Sequence, residues 1–587
     1  MHRLYSALSA AAAVSAVLLA LLLGVSPARA QSQAANGSIE GTVKDSSGGV
    51  QPGVTVTITN VDNGSGLTIV TNEDALYRAL LLPLGNYRVL AELQGFKKFE
   101  QTDVRVAVGA TAVVNATMEV GAVNETVTVS AENMPALELA RIDIGHTMSD
   151  LEVHSLPLVA RNPYNFALQQ PGVTGYENVE FGVPRLAANG AAMRINYQID
   201  GNTNTEKDRA GLRLLPMSEV MIQEVKVVTT GFAPEFGQTM GMVFNAVTPS
   251  GTNAYRGQAS YLFRRREFSA FPFFFGCTTV AASCGDVPAG STKPETKVDT
   301  GTASVGGPMI RNRAFFYAGW EQTRRDLSSN SLITVPPATV SALGLKSQPA
   351  AAPNVQTAKF LILKGDYNLN NANRANLRWV RFHNDAPYNS GGGINTLERA
   401  TDFLDAMDSI AGQVVSSFGA NILNELRVQY AHRHQSSVAN SDSGTGPAIT
   451  ITGIAGFGGP WAGTGQGNAG FDFKQNLTQV IDNVTLLRGK HSYKIGFDFQ
   501  HVYDERTAAP QFVYTFPTQQ SYLDAKSGLN PFGYTTVTQL TGDLGFNMST
   551  NIFSAFVQDD WQVAPKDRKS TRLNSSHVAL SRMPSSA

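Results

Sequence analysis

Apolar and polar residues alternate with a period of two through much of the second half of the chain. In residues 493–500 the alternation is unbroken, with one face formed by Tyr493, Ile495, Phe497 and Phe499 and the other by Lys494, Gly496, Asp498 and Gln500. Residues 426–431 repeat the pattern. A period of two predicts β-strands, and an apolar face with aromatic ends is typical of strands that cross a membrane. A soluble β-sandwich shows the same alternation, so the strands by themselves leave both architectures open.

The connections between these strands favour the membrane architecture. Residues 487–491 make a tight turn, whereas residues 444–470 form a long connection in which 10 of 27 residues are glycine. Short turns at one end and long loops at the other are the asymmetry of outer-membrane barrels. We therefore expect residues 253–566 to form an incomplete antiparallel transmembrane β-barrel with on the order of 10 to 14 strands.

The first part of the chain has a different pattern. Short β-branched runs separated by turn clusters predict a small β-sandwich in residues 37–118. Residues 41–56, followed by Tyr77 and residues 84–96, resemble the carboxypeptidase regulatory-like domain, which implies a carbohydrate-binding-like β-sandwich. Ahead of it, basic His2 and Arg3, an apolar run over 8–23 and the small-x-small site at 28–30 predict a signal peptide of residues 1–30. An uncleaved N-terminal anchor is the alternative, but the apolar run is short for a span of about 20 residues.

Composition and motifs argue against several classes of function. Only 16% of the residues are charged and the net charge is −1, which argues against a nucleic-acid partner. Cys277 and Cys284 are the two cysteines, and in an oxidising compartment we expect them to form a local disulfide; two free thiols in a loop are the alternative. The H-E-x-x-H spacing of zinc peptidases is absent from the sequence. We expect no catalytic residue, no metal and no cofactor, and therefore a protein that is not an enzyme.

Residues 143–250 mix short helical and strand patterns. The series 196–202, 217–228, 232–237 and 241–248 resembles, in order and in wording, the plug domain of TonB-dependent receptors. The Oar-like receptors, which carry the regulatory-like domain in front, are the most similar subgroup. The resemblance implies an α/β plug, with the Asp200-Gly201 turn as a candidate functional feature.

A short β-forming segment lies between the sandwich and the plug, within residues 121–131. It consists of Glu125, Thr126, Val127, Thr128, Val129 and Ser130 and resembles the TonB box. In that family the box adds as a strand to periplasmic TonB, with affinity supplied by backbone hydrogen bonds. An additional sandwich strand or a plain linker is the alternative.

These resemblances imply an outer-membrane TonB-dependent receptor of the Gram-negative type. Its fold would be mainly β, with a sandwich and box in the periplasm, a plug, and a barrel in contact with outer-membrane lipid. Its partners would be TonB with the energising complex of the inner membrane and a large or scarce extracellular ligand such as a glycan or peptide. An outer-membrane adhesion or surface-display protein with a glycan-binding sandwich is the alternative.

The last residues break the pattern. Residues 567–577 have no alternation and no aromatic residue, and they match the translation of a sequencing adapter. We therefore expect residues 567–587 to be an artefact and the sequence to be a C-terminally truncated fragment. Receptors of this family close at 22 strands around a plug. Because open sheet edges leave backbone groups unpaired in lipid, we expect the sequence as it stands not to insert as a closed barrel.

Overall fold

The computed structural model describes residues 35–121, 126–130, 144–156, 161–176, 185–192, 194–207, 212–268, 297–326, 328–389, 391–419, 421–459, 470–542, 544–564 and 567–580. Within these ranges the protein is mainly β-structure, which confirms the predicted fold class. No helix in these ranges is long and apolar enough to cross a membrane.

Residues 37–121 and 126–130 form a sandwich of two sheets. Its strands are β1 (Gly37–Asp45), β2 (Thr55–Asn60), β3 (Gly66–Val70), β4 (Leu76–Leu82), β5 (Gly85–Glu92), β6 (Lys98–Val106), β7 (Thr111–Val113), β8 (Ala116–Met118) and β9 (Thr126–Ser130). One sheet has the order β4-β1-β7, with β8 also paired to β1, and the other has the order β3-β2-β5-β6-β9. Alternate residues of β2, including Val56 and Ile58, point into the core between the sheets.

Residues 144–247, here called the plug, contain a mixed sheet. The elements are β10 (Ile144–Met148), α1 (Asp150–Ser155), β11 (Val173–Gly175), β12 (Leu186–Ala188), β13 (Ala191–Ala192), β14 (Ile195–Ile199), β15 (Asn202–Thr203), β16 (Glu224–Thr230) and β17 (Met242–Val247). The main sheet has the order β10-β16-β17-β14-β15, and β11-β12-β13 form a smaller one. Every residue of β14 and β17 is buried, because one face packs in the plug core and the other is covered by neighbouring parts of the protein.

The remaining elements belong to a large sheet and its connections. They are β18 (Arg256–Arg265), β19 (Lys297–Ile310), β20 (Ala314–Asp326), α2 (Pro337–Leu343), β21 (Val355–Asn368), β22 (Asn373–Asn389), β23 (Thr401–Phe418), β24 (Ile422–Ala439), β25 (Ala448–Ile451), β26 (Ala455–Gly458), β27 (Phe471–Arg488), β28 (His491–Thr507), β29 (Gln511–Phe516), α3 (Gln519–Ser527), β30 (Thr536–Leu540), β31 (Phe546–Ala564) and β32 (Asp567–Leu580). Eleven of these strands form one antiparallel sheet in the order β18-β19-β20-β21-β22-β23-β24-β27-β28-β31-β32, here called the barrel sheet.

The barrel sheet has two unlike ends and is not closed in the described part of the chain. At one end, the turn end, strands are joined by short connections at 311–313, 369–372, 419–421 and 489–490. At the other end, the loop end, the connections are long and include 327–354, 440–470 and 508–545. This asymmetry is the one that the sequence predicts.

In strands such as β24 and β28 the polarity of the barrel sheet is the reverse of that in a soluble sandwich, while inner residues of other strands, such as Phe360 and Phe382, pack in the apolar core of the plug. In β28, Ile495 and Phe497 are 43% and 42% exposed, whereas Lys494 and Gln500 are 0% and 2% exposed. In β24, Leu426 and Val428 likewise point outward and Arg427 points inward. An apolar outer face with a polar inner face is the arrangement of membrane barrels. The alternation that the sequence left ambiguous is therefore resolved by which face is buried.

The glycine-rich connection 444–470 is not an unstructured loop throughout. It contains β25 and β26, which join β29 and β30 in the order β26-β25-β29-β30. Ile451, Phe457 and Phe516 form a small core there together with residues of α2. The sequence did not predict this loop-end core, because its apolar residues come from three separate connections.

Residues 567–580 also differ from expectation. Their backbone pairs with β31 as strand β32, although their sequence has no alternation. Backbone pairing does not require an apolar face. That residues 567–587 are an artefact therefore stays a prediction.

Candidate functional site

The segment that resembles a TonB box forms the outermost strand of a sandwich sheet. Its residues Thr126–Ser130 are β9, which pairs in parallel with β6 from Lys98↔Thr126 to Thr102↔Ser130. Glu125 lies outside the described residues. The structure thus places the segment as an additional sandwich strand with an extended backbone. Its role in coupling stays a prediction.

The Asp200-Gly201 turn attaches the plug to the barrel sheet. Asp200 and Gly201 have φ values of 50° and 74°, as in the two-residue type I′ hairpin that Asp-Gly favours, and they join β14 to β15. The Asp200 carboxylate accepts hydrogen bonds from the Thr248 N–H at 2.8 Å and from Arg378 Nη1 at 2.5 Å. The Gly201 carbonyl accepts one from Arg427 Nη1 at 2.6 Å. The turn therefore joins the plug to strands β22 and β24 of the barrel sheet.

The charge of Asp200 is maintained by its surroundings. Burial raises the pKa of this carboxyl, but the positive charges of Lys364 and Arg378 and the hydrogen bonds from Thr248 outweigh burial. The net effect holds the pKa of Asp200 below its ordinary value. Asp200 is consequently ionised at neutral pH, as its pairing with Arg378 requires.

A second attachment lies nearer the loop end. Arg433 of β24 donates from Nη1 to Glu206 Oε1 of the plug at 2.8 Å. It also makes a bidentate pair with Asp405 of β23, with N···O distances of 3.0 and 3.1 Å. All three side chains are buried. Because buried charges need partners with good geometry, this network holds Glu206 of the plug against β23 and β24 of the barrel sheet.

Polar contacts continue along the same face of the barrel sheet. Lys494 of β28 pairs with Glu235 of the plug, and both side chains are buried. Gln429 Nε2 donates to the Thr203 carbonyl at 2.9 Å, and Gln479 Oε1 accepts from the Thr203 N–H at 2.9 Å. The sequence marked this face as polar but did not reveal its partners, because they lie in another domain.

The sandwich contacts the turn end of the barrel sheet and also the plug. Glu224 of β16 accepts hydrogen bonds from the Val108 N–H at 2.8 Å and from Arg105 Nη2 at 3.1 Å. On the barrel side, Leu80 and Leu81 form an apolar cluster with residues at the ends of β23, β24 and β27. The three parts of the protein therefore meet at the turn end.

Other predicted features can be placed only in part. Cys277 and Cys284 lie outside the described residues. Among the residues that are described, no group of three or more His, Cys, Asp or Glu side chains is arranged to hold a metal ion.

Comparison with known families agrees with this architecture. Residues 247–350 and 346–566 match the family model of the outer membrane beta barrel domain. The match spans more than half of the chain, and the chain belongs to this family. Residues 38–119 match the carboxypeptidase regulatory-like domain.

One relative and one solved structure extend the comparison. The chain is 29% identical over 322 residues to the TonB-dependent transporter Oar of Myxococcus xanthus. The alignment covers 52% of this chain and 28% of Oar, so the chain spans less than a third of that relative. The outer membrane transporter YddB of Escherichia coli has a similar fold, with a TM-score of 0.53 and 12% identity over 74% of this chain and 57% of YddB. The predicted resemblance to Oar-like TonB-dependent receptors is confirmed.

The Arg433 network gives a prediction for stability. Arg433→Met in the complete protein leaves Glu206 and Asp405 buried without their main partner, so we expect a loss of about 3 kcal/mol in the free energy of unfolding. Arg88→Met is the matched control, because Arg88 pairs with Glu100 on the surface of the sandwich and is half-exposed to solvent, and we expect it to cost less than about 1 kcal/mol. Urea unfolding in detergent measures both values. Equal losses of unfolding free energy in the two variants would contradict a stabilising role of the buried Arg433 network.

The Asp200 pair gives a prediction for pH dependence. A carboxyl with a lowered pKa in the folded state stabilises the fold above its unfolded pKa and loses that contribution as pH falls through the folded value. Asp200→Asn removes the carboxylate that pairs with buried Arg378, so the variant should be less stable than the wild type at pH 7, by about 2 kcal/mol. The difference should shrink as pH falls below the ordinary pKa of 3.8, because the unfolded carboxyl is protonated first, and should be smallest below the lower pKa of the folded state, where the wild-type carboxyl is also neutral. Urea midpoints for both proteins from pH 7 to pH 2 measure this, and a difference that is constant with pH would refute it.

Proposed function

We propose that the complete protein is an outer-membrane TonB-dependent receptor that imports a ligand with energy relayed by TonB. The observation that carries the proposal is the plug, which contacts the polar inner face of a membrane-type sheet through buried ion pairs such as Glu206–Arg433 and Glu235–Lys494. A plug attached by such pairs blocks a pore and has to be moved for a ligand to pass. The similarity to Oar supports the same function.

Within this proposal, residues 125–130 are the segment that TonB binds. The backbone of β9 is already extended, and among the described residues no strand occupies its side opposite β6. An extended strand at a sheet edge is suited to β-augmentation, in which backbone hydrogen bonds provide the affinity. TonB is periplasmic, so the sandwich and the turn end would face the periplasm.

The loop end would then face the outside and contact the ligand. It presents a folded surface formed by the connections that contain β25, β26, β29 and β30, with Phe512 and Phe532 exposed. Exposed aromatic side chains suit a glycan or a peptide, both of which pack against aromatic rings. In this proposal the protein is a transporter and performs no covalent chemistry.

A backbone-directed substitution tests the binding of TonB. The double variant Val127→Pro/Thr128→Pro removes two successive N–H donors, one on each side of β9, so one of them lies on the edge that TonB would use. We expect its affinity for the purified periplasmic domain of TonB to fall roughly tenfold or more. Val127→Ala/Thr128→Ala keeps both donors and should bind nearly as the wild type does. Binding can be measured by capture on immobilised TonB, and equal capture of both variants would rule out residues 125–130 as the TonB segment.

Uptake measurements test the alternative function. Ligand binding that persists without TonB, with no uptake either with or without TonB, would indicate an adhesion protein.

A further inference from the structure

The sandwich is seated on the turn end of the barrel sheet by an apolar contact. Leu80 and Leu81 are both buried in a cluster with Val415, Leu423 and Leu487. Successive strand residues normally point to opposite faces. Leu81 has a φ of 56°, which Leu rarely adopts, and this breaks the alternation so that both leucines reach the same cluster.

Polar contacts surround this seat. Arg78 donates to the carbonyl of Lys490, in the connection between β27 and β28, and to that of His491, the first residue of β28, each at 3.4 Å. Asn36 Nδ2 donates to Glu425 Oε1 at 3.3 Å. The Asn253 N–H donates to the Asp62 carbonyl at 2.8 Å, which ties the sandwich to the start of the barrel segment. The sandwich is thus held at several separate points along the turn end.

The sandwich also binds the plug through hydrogen bonds. The Glu224 carboxylate binds the Val108 N–H and Arg105, and Lys226 Nζ donates to the Gly109 carbonyl at 3.2 Å. Both Glu224 and Lys226 belong to β16, which lies between β10 and β17 in the plug sheet. Arg105 lies in β6 and Val108 follows it in the chain. The segment that contacts Glu224 of the plug is therefore continuous with β6, the strand to which β9 is paired.

A cavity of about 370 Å³, lined by both charged and apolar residues, lies where the three parts meet. Its walls include Asp62 of the sandwich, Asp200 and Thr248 at the plug, and Lys364 and Arg374 of the barrel sheet. Undocking of the sandwich would open this space at the turn end.

We propose that the sandwich is a clamp that braces the plug against the turn end of the barrel, and that a pull on β9 releases it. The proposal rests on the proposed function, because it requires the pull that TonB supplies. β9 is paired with β6, so the pull loads the sandwich and its seat on Leu80 and Leu81. The contacts of Glu224 and Lys226 with the sandwich hold the plug sheet until the sandwich moves. The clamp would therefore have to leave its seat before the plug is extended.

A reversible lock on the clamp tests this order of events. In the complete protein with Cys277 and Cys284 replaced by Ser, Asp62→Cys/Asn253→Cys places two thiols where the backbones of the sandwich and the barrel segment are joined by a hydrogen bond. The receptor is reconstituted in a bilayer and pulled by the periplasmic domain of TonB on a force-microscope tip. We expect the oxidised protein to lose the plug-extension events that follow TonB attachment, and reductant to restore them.

A second disulfide serves as the matched control. Thr57→Cys/Leu90→Cys joins two paired strands within the sandwich and leaves its seat free, so plug extension should persist. Plug extension that is unchanged in the oxidised Asp62→Cys/Asn253→Cys protein would overturn the clamp, because β9 would then transmit force without undocking the sandwich. Absence of TonB attachment in every variant would instead contradict the proposed function on which the clamp rests.

Discussion

A charge that is buried in a protein must be paired, and the inner face of the barrel sheet carries several. Arg378, Arg433 and Lys494 all point inward and are almost fully buried. Each is paired with a carboxylate of the plug: Asp200, Glu206 and Glu235. Removal of one partner would leave the other charge uncompensated at a cost of several kcal/mol. The barrel sheet and the plug are therefore complementary in charge, and they also share an apolar core.

The same constraint sets what movement of the plug would require. Ion pairs of this kind are stable while the site excludes water, and they weaken when water can solvate the separated charges. The sandwich covers the turn end, where Glu224 and the cavity beside Asp200 lie. In the proposed clamp, a domain in this position would control whether water and force reach the plug. The location of β9 in the sandwich sheet would then place the proposed coupling segment on the domain that has this control.

Local features were predictable from the sequence and long-range partners were not. The alternation in 493–500 predicted a strand and its two faces, and Asp200-Gly201 predicted a tight turn, because both depend on neighbouring residues. The alternation alone did not show which face of 493–500 is inward; that Lys494 faces inward followed only from the predicted barrel. The sequence did not show that Glu206 meets Arg433, which is 227 residues away. It also missed the loop-end core of Ile451, Phe457 and Phe516, because the apolar residues of this core come from separate connections.

In the complete protein, we expect the apolar outer face of the barrel sheet to contact lipid while its inner face holds the plug. Spin labels placed singly at Ile495, Phe497 and Phe532 of the complete protein in bilayers test it by their accessibility to oxygen and to a water-soluble nickel complex. Phe532 is at the loop end and 78% exposed, so it reports contact with water. We expect high oxygen and low nickel accessibility at Ile495 and Phe497. Nickel accessibility at Ile495 and Phe497 equal to that at Phe532 would show that this face of the barrel sheet contacts water and not lipid.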